Sequence, residues 1–538
     1  MDEDQSSNRL MATAKEAAGG AFHLFWGGSL ATVLSAVCAI LVARFLGPEQ
    51  YGVYSLALIV SGFLMLFTDY GVSQALTRFI ALYKSRNEPH CIAPLVKTGL
   101  AFNVATGLIM FAIGFILTEP LTSLLISRPE MAPIVRITLI LVMVYPLSTA
   151  IGYALLGFGD MKGYAMIDVV RQAFRALLSP LLVILGYSVA GAIAGYVIAF
   201  SIGFATGLIL LYRHYRRLKN AIMKSGQKPL ETLYPMIAYG APLYLSNTLN
   251  SFITTLRGII LAYFTTNFLI GNFNTAMNFS MLVTLLSSPV ATALFPAFSK
   301  LGNNTRETKT MFTYSVKYTA ALVIPAAVFV AVMSRDLIFL LYGASYSHAP
   351  LYLALYSITF LFSALGSIVL GSFFSGVGES KVNLKATLIS MAAFMLLAPA
   401  LTWALQVEGM IIALIVATAS STLYSLWTGI RRYSLKIDLK SSAKICVSAF
   451  LAAAPVMPIA LLSPMPRIIN LALAALTYLL AYLTAAPLLG VVAEGDLEAL
   501  AGIFSKVSIL QPIVRLILSY ENKVNSLITR RSANKTAA

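Results

Sequence analysis

Cationic and amide side chains recur at helical spacing inside long apolar runs. Within 237–263, Asn247, Asn250, Thr254 and Arg257 are spaced three, four and three residues apart, so they share one helical face. Within 166–186, Asp168, Arg171 and Arg175 share another face, with Gln172 beside it. Lys317, the pair Asn274 and Asn278, and Asn103 add polar groups to three further runs, and Gln74 and Arg78 lie near the inner end of a fourth. Ionisable groups at membrane depth are costly and face a cavity or a partner. Arg and Lys neutralise phosphate and Asn and Gln bond hydroxyls, so such a set suits a diphosphate that bears sugars. For Arg171 and Lys317 a second reading stands, in which the side chain reaches the nearer interface. Asp168 with Arg171 also reads as an internal salt bridge at i and i+3. Asp69 is placed at the outer end of its run and read as interfacial rather than as an ion-coupling acid, and His23 as a packed or interfacial histidine.

The elements that must position these groups are helices. With 58% hydrophobic and 11% charged residues and a mean hydropathy of +0.81, the chain is no soluble domain. Runs of about 20 apolar residues, enough to cross a hydrocarbon core of about 30 Å, lie near 22–43, 52–70, 95–117, 132–156, 166–186, 189–211, 237–263, 268–295, 313–333, 350–374, 384–405, 409–429, 443–462 and 467–489. They are called spans 1 to 14 below. Backbone groups in hydrocarbon must bond within their own segment, and runs this long exclude barrel strands.

The spans repeat. GYALLGFGDMK (152–162) returns 219 positions later as GSFFSGVGESK (371–381). The same ungapped shift lays ARFLGPEQYGVYSLA (43–57) over AYFTTNFLIGNFNTA (262–276). Duplicated halves of this kind are characteristic of secondary transporters. The expected organisation is an N-terminal lobe at 1–212, a basic linker at 213–231, a C-terminal lobe at 232–432, two further spans at 433–490 and an amphipathic tail at 491–538. The fold class is therefore an all-α polytopic membrane protein of about fourteen transmembrane helices. Its two six-helix lobes are related by an axis along the membrane normal, because each half has an even number of crossings, and the polar stripes line the space between them.

Charge sets the orientation. The net charge of +17 concentrates in the connections at 213–228, with six Lys and Arg, and 431–444, with five. The outer connections carry only Arg44, Arg128, Arg335 and Arg467. This is the positive-inside pattern; it places both termini in the cytoplasm of a multi-pass cell-membrane protein and makes a nucleic-acid partner unnecessary. The first apolar run lacks a cleavage site and reads as a signal anchor. Cys38, Cys91 and Cys446 make no disulfide framework, four scattered histidines offer no metal spacing, and no nucleophile or paired carboxylates stand out, so neither cofactor nor enzymatic chemistry is expected. Leu497, Leu500, Phe504 and Val507 recur at helical spacing and predict an interfacial helix or a partner-binding one.

ARFLGPEQYGVYSLALIV, FLLYGASYSHAPLYLALYSI and the SGVGESK turn resemble the polysaccharide transporter (O-antigen flippase-like) family of the multidrug, oligosaccharidyl-lipid and polysaccharide exporter superfamily, over roughly 20–490. The resemblance implies a two-lobed helical transporter that moves a polyprenyl-linked oligosaccharide from the inner to the outer leaflet. It implies membrane lipids as surroundings, a monomer, and glycan-assembly proteins as candidate partners. An ion-coupled multidrug exporter of the same superfamily is the alternative; such a protein needs a buried carboxylate, and span 1 has none between His23 and Arg44.

Overall fold

A computed structural model describes residues 2–218, 229–301, 306–463 and 465–491. The predicted tail helix at 497–507 and most of the basic linker lie outside these residues. Among the described residues the chain is helical throughout and contains no strand. Three helices are too long to be single crossings: Phe22–Met65, Met161–Arg216 and Ser380–Tyr433 have 44, 56 and 54 residues. At 1.5 Å per residue the last would extend about 80 Å, nearly twice the thickness of a bilayer with its headgroups. Each is broken once, at Gly47 (φ 73°), Gly186 (φ 94°) and Gln406 (φ 51°), so each holds two crossings with almost no connecting chain. These breaks separate spans 1 and 2, 5 and 6, and 11 and 12. The remaining predicted spans fall on helices Pro89–Ile116 (span 3), Ile140–Phe158 (span 4), Pro229–Phe264 (span 7), Asn267–Leu301 (span 8), Arg306–Val332 (span 9), Ala349–Leu361 with Ser367–Gly376 (span 10), Leu439–Ala453 (span 13) and Arg467–Leu488 (span 14).

By packing, the chain divides between Asn274 and Thr275 into two compact units. The division of the sequence repeat at 213–231 remains a proposal about ancestry and motion. In the first unit, Leu76 and Ile80 of span 2, Leu95 of span 3, Ile151 and Leu155 of span 4, Ile167 of span 5 and Met236 of span 7 form one buried cluster. In the second, Phe298, Phe312, Phe374 and Tyr433 pack edge to face around Phe373. Spans 13 and 14 dock on span 9 through Ile445, Ala449 and Ala474 against Ala320 and Ile324. Tyr482 donates to the Ala321 carbonyl at 3.1 Å, and Asn470 to Asp336 at 2.6 Å. Without a hydrophobic drive between helices in lipid, such small-residue contacts and interhelical hydrogen bonds are what hold the pairs.

The repeat is visible in atomic detail. Gly159 and Gly378, 219 positions apart, both have φ of 83°. A Cβ added at Gly157 would lie 3.0 Å from the Thr77 carbonyl oxygen, and one at Gly376 would lie 2.9 Å from that of Phe295. At the outer side of the first unit the two copies of the other motif meet each other. A Cβ at Gly52 would stand 1.9 Å from the Asn267 oxygen, and one at Gly271 would stand 1.9 Å from the Pro48 oxygen. These are the same two contacts with the copies exchanged, the signature of a local two-fold relation. Only glycine permits backbones this close.

Inner and outer here follow the charge asymmetry of the sequence. A reporter fused after Lys219 is expected on the cytoplasmic side and one inserted at 343–347 on the external side; both on one side would overturn the fourteen-span topology.

Candidate functional site

Arg175 lies 14 residues along the helix that starts at Met161, about 21 Å from the inner turn and therefore deep in the membrane. Its guanidinium sits 4.2 Å from the centre of the Tyr196 ring and bonds the Tyr54 hydroxyl at 3.4 Å. Its Nε is buried and unpartnered, and among the described residues it forms no ion pair. One turn inward, Arg171 pairs with Asp168, as the i and i+3 spacing predicted, and lies 4.6 Å over the Phe200 ring. Its Nε is likewise buried without a partner. The wall beneath both cations is aromatic: Tyr145 of span 4 stacks on Phe200 at 5.6 Å, and Tyr196 meets Phe200 edge to face at 4.6 Å. Tyr51 stacks on Tyr54 at 5.8 Å on the side of span 2.

Local packing explains why the stripe holds this position. The Cys38 thiol of span 1 donates to the Arg175 carbonyl at 3.4 Å, and Gly203 of span 6 leaves room for the Arg171 stem, 3.1 Å from its own Cβ position. Gly195 packs against the Ser179 backbone, so spans 5 and 6 approach closely along the cationic face. The guanidinium planes lie over ring faces, an arrangement each worth about 1 to 2 kcal/mol when desolvated. Arg175 is thereby held without a carboxylate partner, whereas Arg171 shares its charge with Asp168.

Asp69 is not at the outer end of span 2. Span 2 continues beyond its apolar run to Ser85, and the chain breaks between Met65 and Val72, midway along the crossing. The apolar run ends at Tyr70 only because Ser73, Gln74, Thr77 and Arg78 belong to the same helix yet are polar. The break satisfies its own backbone groups as hydrocarbon demands. The Asp69 carboxylate accepts from the Gly71 and Ser73 amides at 3.2 and 3.1 Å and from the Ser73 hydroxyl. Thr106 donates to the Thr68 carbonyl at 2.6 Å, and Tyr244 to that of Leu66 at 2.8 Å. Asn103, wholly buried on span 3, lies within hydrogen-bonding reach of Asp69 and leaves its Oδ1 unpartnered.

The other predicted residues are dispersed. Arg78 is exposed and lies 4.1 Å over the Tyr239 ring, while Gln74 keeps a buried, unpartnered Oε1 one turn away. Arg257 lies two turns from the outer end of its helix, 5.5 Å from the Phe273 ring centre. Asn274 is half-buried on span 8 at the end of the first unit. Asn278 and Lys317 belong to the second unit. Lys317 is near enough to act on Asp438, whose carboxyl is held below its ordinary range by the hydroxyl and amide of Ser441 together with that charge. The side chains of Asn247 and Asn250 lie outside the described residues. Of the ten, Arg171 and Arg175 are thus brought together, and the polar neighbourhood of Gln74 and Arg78 adjoins the break at Asp69.

Sequence reasoning missed the aromatic wall and one outer clasp. Tyr196 and Phe200, at i and i+4 in a span whose remaining aromatic is Phe204, were the available signal. The clasp is Arg128, which donates to the carbonyls of Ala262 at 2.7 Å and Thr265 at 2.9 Å and so caps the outer end of span 7.

The family model described as "Polysaccharide biosynthesis protein" matches residues 17–302, more than half the chain. The lipopolysaccharide biosynthesis protein WzxC of Escherichia coli (strain K12) is 22% identical over 70% of this chain and 73% of its own length. The succinoglycan biosynthesis transport protein ExoT of Rhizobium meliloti (strain 1021) is 22% identical over 59% and 60%. Among solved structures, the lipid II flippase MurJ in an inward closed conformation aligns with a TM-score of 0.68 at 13% identity, over 86% of this chain and 98% of that one. An inward-facing multidrug resistance transporter of the MATE family, in the MOP superfamily, aligns with a TM-score of 0.62 at 15% identity, over 75% and 94%. The structural likeness gives the fold, a bundle of many membrane helices, and the family match gives the lineage: this chain is a member of the polysaccharide biosynthesis protein family.

Proposed function

We propose that the protein is a flippase that carries a polyprenyl phosphate- or diphosphate-linked oligosaccharide from the cytoplasmic to the outer leaflet, for assembly of a surface glycan. The observation that carries this reading is Arg175, a guanidinium at membrane depth with an unpartnered Nε and an aromatic wall. A cation held there without a carboxylate calls for an anionic ligand, because an uncompensated charge in hydrocarbon is expensive. Phosphate oxygens take the guanidinium fork, and faces such as Tyr196 and Phe200 suit the apolar faces of sugar rings. Asp168 neutralises part of the charge at Arg171, which leaves Arg175 as the stronger anion site. The polyprenyl tail remains in lipid while the polar head crosses by alternating access of the repeated halves. The names of the relatives, which concern lipopolysaccharide and succinoglycan biosynthesis, agree with a lipid-linked glycan substrate.

A second reading, an ion-coupled exporter, is favoured by one observation, the carboxylate of Asp69 at the break in span 2. Reconstitution separates the two. In vesicles that contain the purified chain, a fluorescent polyprenyl diphosphate oligosaccharide placed in one leaflet is expected to become accessible to an impermeant quencher at the other. Failure of that movement, with efflux of a lipophilic cation driven by a pH gradient, would establish the exporter instead.

A further inference from the structure

The two repeats close their inner turns with different chemistry. In the first unit the turn between spans 4 and 5 carries Asp160, whose Oδ1 caps span 5 by accepting from the Gly163 amide at 2.7 Å. Its Oδ2 lies 2.9 Å from Nε2 of His214, near the end of span 6. The His214 ring stacks on Phe158 of the same turn, with centroids 5.1 Å apart and planes within 8°. Lys84, at the end of span 2, donates to the Phe158 carbonyl at 2.8 Å. Spans 2, 4, 5 and 6 are thus tied at one point.

The repeat-equivalent positions, 219 residues on, are Glu379 for Asp160 and Tyr433 for His214. Glu379 does not cap its helix through its side chain; its carboxylate instead lies close enough to the Tyr433 hydroxyl to act on it. Burial and that carboxylate hold the Tyr433 phenol above its ordinary value, so it remains a neutral donor throughout the physiological range. The first unit has imidazole in the same position, the side chain that changes charge between about pH 5 and 8.

We propose that the His214–Asp160 contact is a proton-controlled clasp at the inner end of the first unit, tightened when the cytoplasmic side becomes acidic, whereas its Tyr433–Glu379 counterpart in the second unit does not respond. The imidazolium form makes a charge-assisted bond to Asp160, and this contribution is present at low pH and lost as pH rises through the imidazole range. The other charges near His214 are Lys84 from span 2, Lys162 on the first turn of span 5, and Arg213 and Arg216 on its own helix. These keep their charge between pH 6 and 8, so the response belongs to the imidazole. Asp160 accepts both from the clasp and from the amide that starts span 5, so loosening one contact loosens the turn itself.

The test is hydrogen exchange by mass spectrometry on the purified full chain at pH 6 and pH 8, with times corrected for intrinsic amide exchange. It reads the turn directly and is independent of what the protein carries. Amides in 155–163 are expected to exchange about fivefold faster at pH 8, the difference between a charge-assisted and a neutral hydrogen bond, while 374–382 exchange equally at both. His214→Tyr with Asp160→Glu, which transplants the pair of the second repeat, should give a flat response, and so should His214→Gln, which cannot take up charge. Equal exchange of 155–163 at both pH values in the wild-type chain would overturn the clasp. So would a pH response that survives in His214→Gln.

Discussion

Arg175→Met is expected to leave the protein inserted at normal abundance and to lower glycan export at least about thirtyfold. The magnitude is that of a lost charge-assisted bond to phosphate, about 2 kcal/mol. Methionine fills a similar volume and keeps the contact with Tyr196, so the packing around span 5 should survive. Arg175→Lys retains the charge but not the fork, and intermediate export is expected. Arg175→Glu places like charge beside phosphate in a low-dielectric site and should abolish export. The measurement is accumulation of lipid-linked oligosaccharide on the inner leaflet, with membrane abundance determined for each variant in parallel. Unchanged export from Arg175→Met would reduce the guanidinium to a partner for Tyr54 and Tyr196.

The second large effect belongs to the outer crossing of the two motif copies. Gly52→Leu puts a side chain where a Cβ alone would lie 1.9 Å from the Asn267 oxygen. A backbone carbonyl at the start of a helix cannot swing aside as a side chain can, so the cost falls at the upper end of overpacking penalties, about 3 kcal/mol. The segments at 47–52 and 267–271 are expected to part. In a background with Cys38, Cys91 and Cys446 replaced by Ala, a cysteine at position 267 should be slow to react with an impermeant thiol reagent when Gly52 is present and fast with Gly52→Leu. Gly271→Leu should act in the same way on a cysteine at position 48, because the contact is reciprocal. Equal labelling rates with and without either substitution would mean that the crossing does not hold the outer ends together.

Most of the architecture was legible because membrane folds have few solutions. Runs of apolar residues gave the spans, and the repeat at a shift of 219 identified Gly157, Gly159, Gly376 and Gly378 as matching turns, with Gly159 and Gly378 sharing the same positive φ. The sequence failed where a crossing contained its own polar break. Asp69 and Ser73 satisfy each other's needs across a gap in the helix, which a scan for continuous apolar chain reads as an end. The helical spacing of Asp168, Arg171 and Arg175 was enough to find the cationic stripe. Its aromatic wall was not, because Tyr145 and Tyr196 come together only through packing of spans 4 and 6. The clasp at Asp160 was half legible: the acid in the turn was evident, but His214, 54 residues away, was not.

The breaks at Gly47, Gly186 and Gln406 also bear on how the chain enters the bilayer during synthesis. Each joins two crossings with almost no polar chain to be carried across, so the cost of translocating an intervening loop is small. Spans 1 and 2, 5 and 6, and 11 and 12 are accordingly suited to insertion as hairpins, the second helix sheltering the polar groups of the first as both leave the translocation channel. For the pair formed by spans 5 and 6 this order has particular weight. Span 5 alone would present Arg171 and Arg175 to lipid, and only when span 6 arrives with Phe200 and Tyr196 do the two guanidinium groups acquire a surface on which to rest.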